Sequence, residues 1–134
     1  MQVSLRADLD PAAHIAFGEV LQPLRDEGIL IMGSGMTYHN MQTLLANIHG
    51  ANRAVPESEL FDGWLTNALT ARAPDDRETA LVEWQTAPAA RIAHPREEHL
   101  LPLHVVVGAA GSDAGRRTLK DTVLGAAESA FQFG

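Results

Sequence analysis

Apolar positions fall into short blocks that change spacing along the chain. Residues 2–6 alternate weakly, as a short strand would. Asp10 and Pro11 make a good helix start, with the carboxylate as N-cap and proline at the first helical position. Between Ala12 and Glu27, the residues Ile15, Ala16, Val20, Leu21 and Leu24 recur at helical spacing. Pro23 lies inside that pattern and is expected to kink the helix or end it early. Gly28 suits the C-terminal cap. The run Ile29–Met32 is apolar and bounded by glycines, which predicts a buried strand. Strand, helix and strand at this spacing predict a βαβ unit with parallel pairing and a right-handed crossover.

Gly33, Ser34 and Gly35 break the pattern, so the chain turns where that strand ends. A short helix is predicted after His39, running to about Ile48, with a loop over His49–Asn52. The next helix is expected over Glu57–Ala71, started by Pro56 or Ser58, with Leu60, Trp64, Ala68 and Leu69 on one face. Pro74-Asp75-Asp76 begins another, with Leu81, Val82 and Trp84 as its apolar contacts. Pro88 interrupts it, and residues 89–92 add a turn. A helix from Pro95 to about Gly108 is then predicted, with His99 about one turn in and Pro102 bending it just past that histidine. Gly111–Gly115 reads as a loop. Residues 118–125 fit neither period, and Ser129–Phe133 alternates as a strand. The fold class expected is α/β, a small mixed sheet flanked by helices, in one domain over residues 1–134.

Composition narrows the function. Ten basic against seventeen acidic residues leave a formal charge of −7, and no basic stripe appears, so nucleic acid is not an expected partner. Cysteine is absent, which removes disulfides and thiolate metal sites. No apolar run approaches the ~18 residues of a membrane span. The first residues lack the apolar core of a signal peptide, making cytoplasmic the default location.

Histidine carries the candidate chemistry. Imidazole is a common ligand for iron and zinc and also exchanges a proton near neutral pH. One candidate is His39, after a strand and a small-residue loop, a place where open α/β sheets bind ligands. Three more of the six histidines, His94, His99 and His104, fall within eleven residues. His104 is five residues beyond His99, about 500° around a helix, so it points elsewhere and reads as structural or surface. His14 and His49 have no supporting neighbours. The charge runs 75–78 and 96–98 read as solvated faces, apart from Glu98.

Two stretches together carry a resemblance: Gly33-Ser34-Gly35 followed by His39-Asn40, then His94-Pro95, Glu98-His99 and Leu101-Pro102-Leu103. In this order they resemble the C-terminal half of the class III extradiol ring-cleavage dioxygenases, 4,5-DOPA dioxygenase type. Residues 128–134 look like that family's closing strand. The resemblance implies the C-terminal half of that fold, with the family's N-terminal half and its first metal-binding histidines absent here. It implies a non-haem Fe(II) or Zn(II) enzyme that opens catecholic aromatic rings, with only part of the metal's ligand set in this chain. His99 matches the C-terminal metal ligand. His39 matches the active-site histidine read as acid/base or as a further ligand, and acid/base is the favoured role. Glu98 is the alternative carboxylate ligand, while Asn40 and His94 are placed to fix imidazole orientation. The alternative is a non-catalytic oligomeric binding module that keeps the fold. Loss of half the family domain would uncover apolar surface, so a homo-oligomer, in the first place a dimer, is expected under either reading.

Overall fold

The computed structural model describes residues 1–51 and 53–134. Residues 2–6 form no strand. They run over the surface to Arg6, whose backbone N–H donates to His14 Nε2 at 3.2 Å. Helix α1, Pro11–Leu21, begins as its sequence dictates: Asp10 accepts from the Ala13 N–H at 3.1 Å, and Pro11 stands where no N–H is needed. Pro23 ends α1 and opens the short α2, Pro23–Asp26. Helix α3, Met41–Ala46, is capped by Asn40, which accepts from the Thr43 N–H. It runs into an irregular turn in which His49 and Gly50 leave helical geometry. Asn52, the last residue of the loop expected there, lies outside the described residues.

Helix α4, Pro56–Thr70, buries Ser58, Phe61, Asp62, Leu65, Ala68 and Leu69. That stripe differs from the expected one, since Leu60 faces solvent and Trp64 is half-buried. Helix α5, Pro74–Val82, buries Arg77, Ala80 and Leu81, and Trp84 in the following turn is fully enclosed. The expectation that residues 75–78 form a solvated face therefore fails at Arg77, which is 1% exposed. Its guanidinium donates to the Gly111 and Asp113 carbonyls, capping the chain where the last helix ends. Helix α6 is Ala90–Ala93. The last helix, α7, spans Leu101–Ala110 and so starts six residues later than expected from Pro95. Pro102 falls in its first turn, where a missing N–H costs nothing, so it starts the helix rather than bending it. His99 precedes α7 in a turn.

Helices α1 and α7 pack at backbone contact. A Cβ on Gly18 would overlap the Val105 carbonyl, and one on Gly108 would overlap the Ile15 carbonyl. His104 is buried between α7 and α5, bonding the Leu81 carbonyl at 2.9 Å. It is structural and forms no part of a site.

The sheet is a two-stranded antiparallel hairpin, β1 (Gly115–Val123) and β2 (Ala126–Phe133). Leu124 and Gly125 connect it with φ of 51° and 83°. Positive φ at both central residues is the type I′ geometry that matches strand twist. Residues 118–125, which fit no sequence period, therefore belong to β1 and its turn. The mixed α/β class holds, but the βαβ unit does not form. Ile29–Met32 is extended with no strand partner among the described residues, and Leu30 and Met32 are 80% and 78% exposed. An apolar run makes a buried strand only if strands flank it, and none does here.

The backbone contact of α1 with α7 leads to a stability prediction. Gly18→Ala and Gly108→Ala should each lower stability by about 1–3 kcal/mol through overpacking. Urea unfolding reads this directly, with an exposed Gly63→Ala as the control expected to be neutral or stabilising.

Candidate functional site

The site is assembled by hydrogen bonds between two loop segments. Residues 36–39 lie along residues 93–99. The Met36 N–H donates to the His99 carbonyl at 3.0 Å, and the His39 N–H donates to the Ala93 carbonyl at 2.9 Å. Asn40 adds a side-chain bond from Nδ2 to the Ile92 carbonyl at 2.9 Å. This close passage explains the small residues before His39. A Cβ on Gly35 would overlap the His99 carbonyl, and one on Gly33 would crowd the Pro102 carbonyl at the start of α7.

These contacts bring His39 and His99 together. Their ring centroids are 3.5 Å apart with 23° between the planes, a stacked pair. Both side chains are half-buried. Burial lowers the His39 pKa from its ordinary value, the His99 ring lowers it further, and Glu98 opposes the shift. His39 is therefore held toward the neutral form. Glu98 is partly buried, with Arg96 Nε 3.3 Å from its Oε2. That contact has the distance of an ion pair but not the direction of a hydrogen bond, so Oε2 has no donor.

His94 is fully buried. Its Nε2 bonds the Thr37 carbonyl at 3.0 Å. A carbonyl only accepts, so Nε2 carries the proton and Nδ1 is the unpartnered lone pair. The edges of Phe61 and Trp84 enclose the ring. His94 thus fixes the backbone two residues before His39 and makes no hydrogen bond to either stacked ring. Asn40 likewise acts on backbone.

Sequence reasoning missed Thr37, Tyr38 and Glu128. The Glu128 Oε2 accepts from the Thr37 N–H at 2.8 Å, the Thr37 hydroxyl at 2.9 Å and the Tyr38 N–H at 3.2 Å. Its Oε1 is buried without a partner among the described residues, and burial raises its pKa above the usual carboxylate range. The available signal was an acidic residue set among alanines at the start of β2.

His99 and Glu128 also line an open groove of about 1440 Å³. Leu30, Met32, Leu103 and Val106 of α7, and Phe131 of β2 also line it. The groove is larger than the ~300–1,000 Å³ typical of a small-molecule pocket. It reaches His99 but not His39. The part of the groove at His99, rather than its full length, is therefore where a small ligand would meet the histidine pair.

Burial pushes the His94 pKa down to about 4. In the unfolded chain the same imidazole titrates near 6.5. Between those values only the unfolded chain takes up the proton, so His94 favours folding fully above about pH 6.5 and loses that contribution as pH falls toward 4. The shift corresponds to roughly 3 kcal/mol. Glu128 acts in the opposite direction, and His39 and His104 in the same one. The difference between parent and variant isolates His94. Urea unfolding from pH 7 to 4.5 should show the parent losing ~2–3 kcal/mol more than His94→Asn. Equal slopes would contradict the burial of a neutral ring.

The family described as the catalytic LigB subunit of aromatic ring-opening dioxygenase matches residues 1–132. A 4,5-DOPA dioxygenase extradiol of Beta vulgaris is 38% identical over 114 residues, covering 84% of this chain and 40% of that protein. The Escherichia coli K12 protein of the same description is 32% identical over 109 residues, covering 81% of this chain and 39% of that one. A dioxygenase of Hapsidospora irregularis is 33% identical over 132 residues, covering 93% and 40%. The crystal structure of an uncharacterised Escherichia coli K12 protein superposes with a TM-score of 0.78 at 28% identity, over 92% of this chain and 50% of that one. The chain thus spans about 40% of the length of the sequence relatives it matches. With the family model matching residues 1–132, this chain belongs to the LigB family of aromatic ring-opening dioxygenases.

Proposed function

We propose that this chain supplies the histidine pair of an extradiol ring-cleavage site acting on catecholic aromatics. The supporting observation is the stacking of His39 on His99 at 3.5 Å, with His99 lining the groove. His99 is the metal ligand in this reading, and His39 is the acid/base that takes a proton from a catechol hydroxyl. Near-parallel rings send their in-plane lone pairs side by side rather than toward one point, so one ion is ill placed to take both. That geometry favours acid/base over ligation for His39. Its lowered pKa keeps it able to accept a proton at neutral pH. Glu98 is the carboxylate that would replace or join His99.

The donor chemistry suits Fe(II) or Zn(II), but the donor count does not. Among the described residues no group of three or more His, Cys, Asp or Glu side chains could hold a metal ion. Three protein ligands are the usual minimum. The reading therefore needs donors from outside residues 1–134, and a homodimer is the arrangement proposed. The exposed apolar residues Ile29, Leu30 and Met32 form a surface that association would cover. The short donor set also favours a second reading, an oligomeric binding module without catalysis.

Two measurements test this. Light scattering after size exclusion should give about twice the 14.4 kDa chain mass, and Leu30→Asp with Met32→Asp should shift it to monomer. A parent mass of one chain would contradict the dimer. For catalysis, the protein is loaded anaerobically with ferrous iron and then given oxygen with DOPA or protocatechuate. Yellow ring-cleavage product that falls at least ~10²-fold in both His99→Ala and His39→Ala is expected. No product and no metal retained after desalting would favour the binding module.

A further inference from the structure

The dipeptide before His39 is gripped from both sides. His94 donates to the Thr37 carbonyl on one side, at 3.0 Å. On the other, a single oxygen of Glu128 collects the Thr37 N–H, the Thr37 hydroxyl and the Tyr38 N–H. The same Thr37 hydroxyl accepts from the Ser129 N–H at 3.0 Å, so β2 holds the segment through backbone as well as side chain. β2 is anchored in turn to α4, where Ser58 accepts from the Ala127 N–H at 2.8 Å and Asp62 accepts from the Ser129 hydroxyl. Arg117 and Lys120 of β1 face Asp62 from the hairpin. A path of polar contacts therefore runs from α4 through β2 to the peptide that carries His39.

The geometry points to Glu128 as a positioning residue of the histidine site: by fixing Thr37 and Tyr38 it holds the His39 ring flat against His99. This rests on the reading that the stacked pair is the functional site. Three donors converging on one oxygen define the backbone direction at residues 37 and 38, and the next residue is His39. The Met36 and His39 N–H groups and the Asn40 side chain set the register of this segment against residues 92–99, and Glu128 adds the bonds that fix residues 37 and 38 from the other side. Its burial needs this use, because a carboxylate without such donors would be costly beside the unpartnered Oε1.

The stacked pair has a signature independent of metal and of turnover. Rings 3.5 Å apart shift each other's ring protons upfield and give a nuclear Overhauser contact between them. The test is histidine-selective NMR of the metal-free protein, with chelator present and at one fixed pH. The parent should show the contact. Glu128→Gln keeps an acceptor oxygen and should retain it. Glu128→Ala should lose both the contact and the upfield shift, while the buried His14 and His104 signals stay in place. If Glu128→Ala does not fold, Thr37→Val decides instead: it removes the hydroxyl donor and should weaken the contact in a folded protein. Retention of the full parental contact in folded Glu128→Ala, or in Thr37→Val where Glu128→Ala does not fold, would overturn the assignment. Failure of the protein to bind iron or to open catechols would overturn the proposed activity and leave this result standing.

Discussion

Everything at the site depends on one backbone seam, the pairing of residues 36–39 with residues 93–99. Two hydrogen bonds, Met36 to His99 and His39 to Ala93, set its register. The seam is tight enough that Gly35 cannot carry a side chain. Without it, neither imidazole has a reason to meet the other, because no regular element contains either ring. His39 precedes α3 and His99 precedes α7. Loops often carry functional groups on a rigid scaffold. Here the scaffold is the packing of α1 on α7 and of β2 on α4, and the seam lies between them.

The buried polar groups follow from that seam. His94 is fully buried and Glu128 half-buried, and they bond Thr37 and the Thr37–Tyr38 pair respectively. Arg77 does the same for the chain end of α7, and Arg25 bonds the Ala109 and Ala110 carbonyls from the other side. These groups direct the chain's irregular segments, where helix and strand hydrogen bonds are not available. That division of labour leaves the regular elements to supply apolar mass, with Phe61, Leu65, Leu81 and Trp84 fully enclosed.

Legibility in the sequence followed the range of the interactions. Helix starts at Asp10-Pro11, Pro56 and Pro74 could be read because capping and proline geometry are local. The break at Pro23 could be read for the same reason. His39 and His99 were singled out by the family resemblance of the motifs around them, since the seam that joins them is long-range. Ile29–Met32 was misread because burial of a strand depends on neighbours that a local window does not contain. The helix expected from Pro95 was misread because its start is set by tertiary contact: the His99 carbonyl is taken by the Met36 N–H, and the helix begins at Leu101. The hairpin at Leu124-Gly125 lacks the Asn-Gly signal, and only the backbone angles reveal it. Glu128 and Arg77 were out of reach, since each is defined by partners far away in sequence.

The most direct test of a shared histidine site is a Zn(II) titration followed by histidine-selective NMR on the whole chain. His99 signals should respond first and saturably, and His39 should move with them through the stacked ring. The buried His14, His94 and His104 should hold their positions. A response confined to the exposed His49, or His39 and His99 responding independently of each other, would contradict the account.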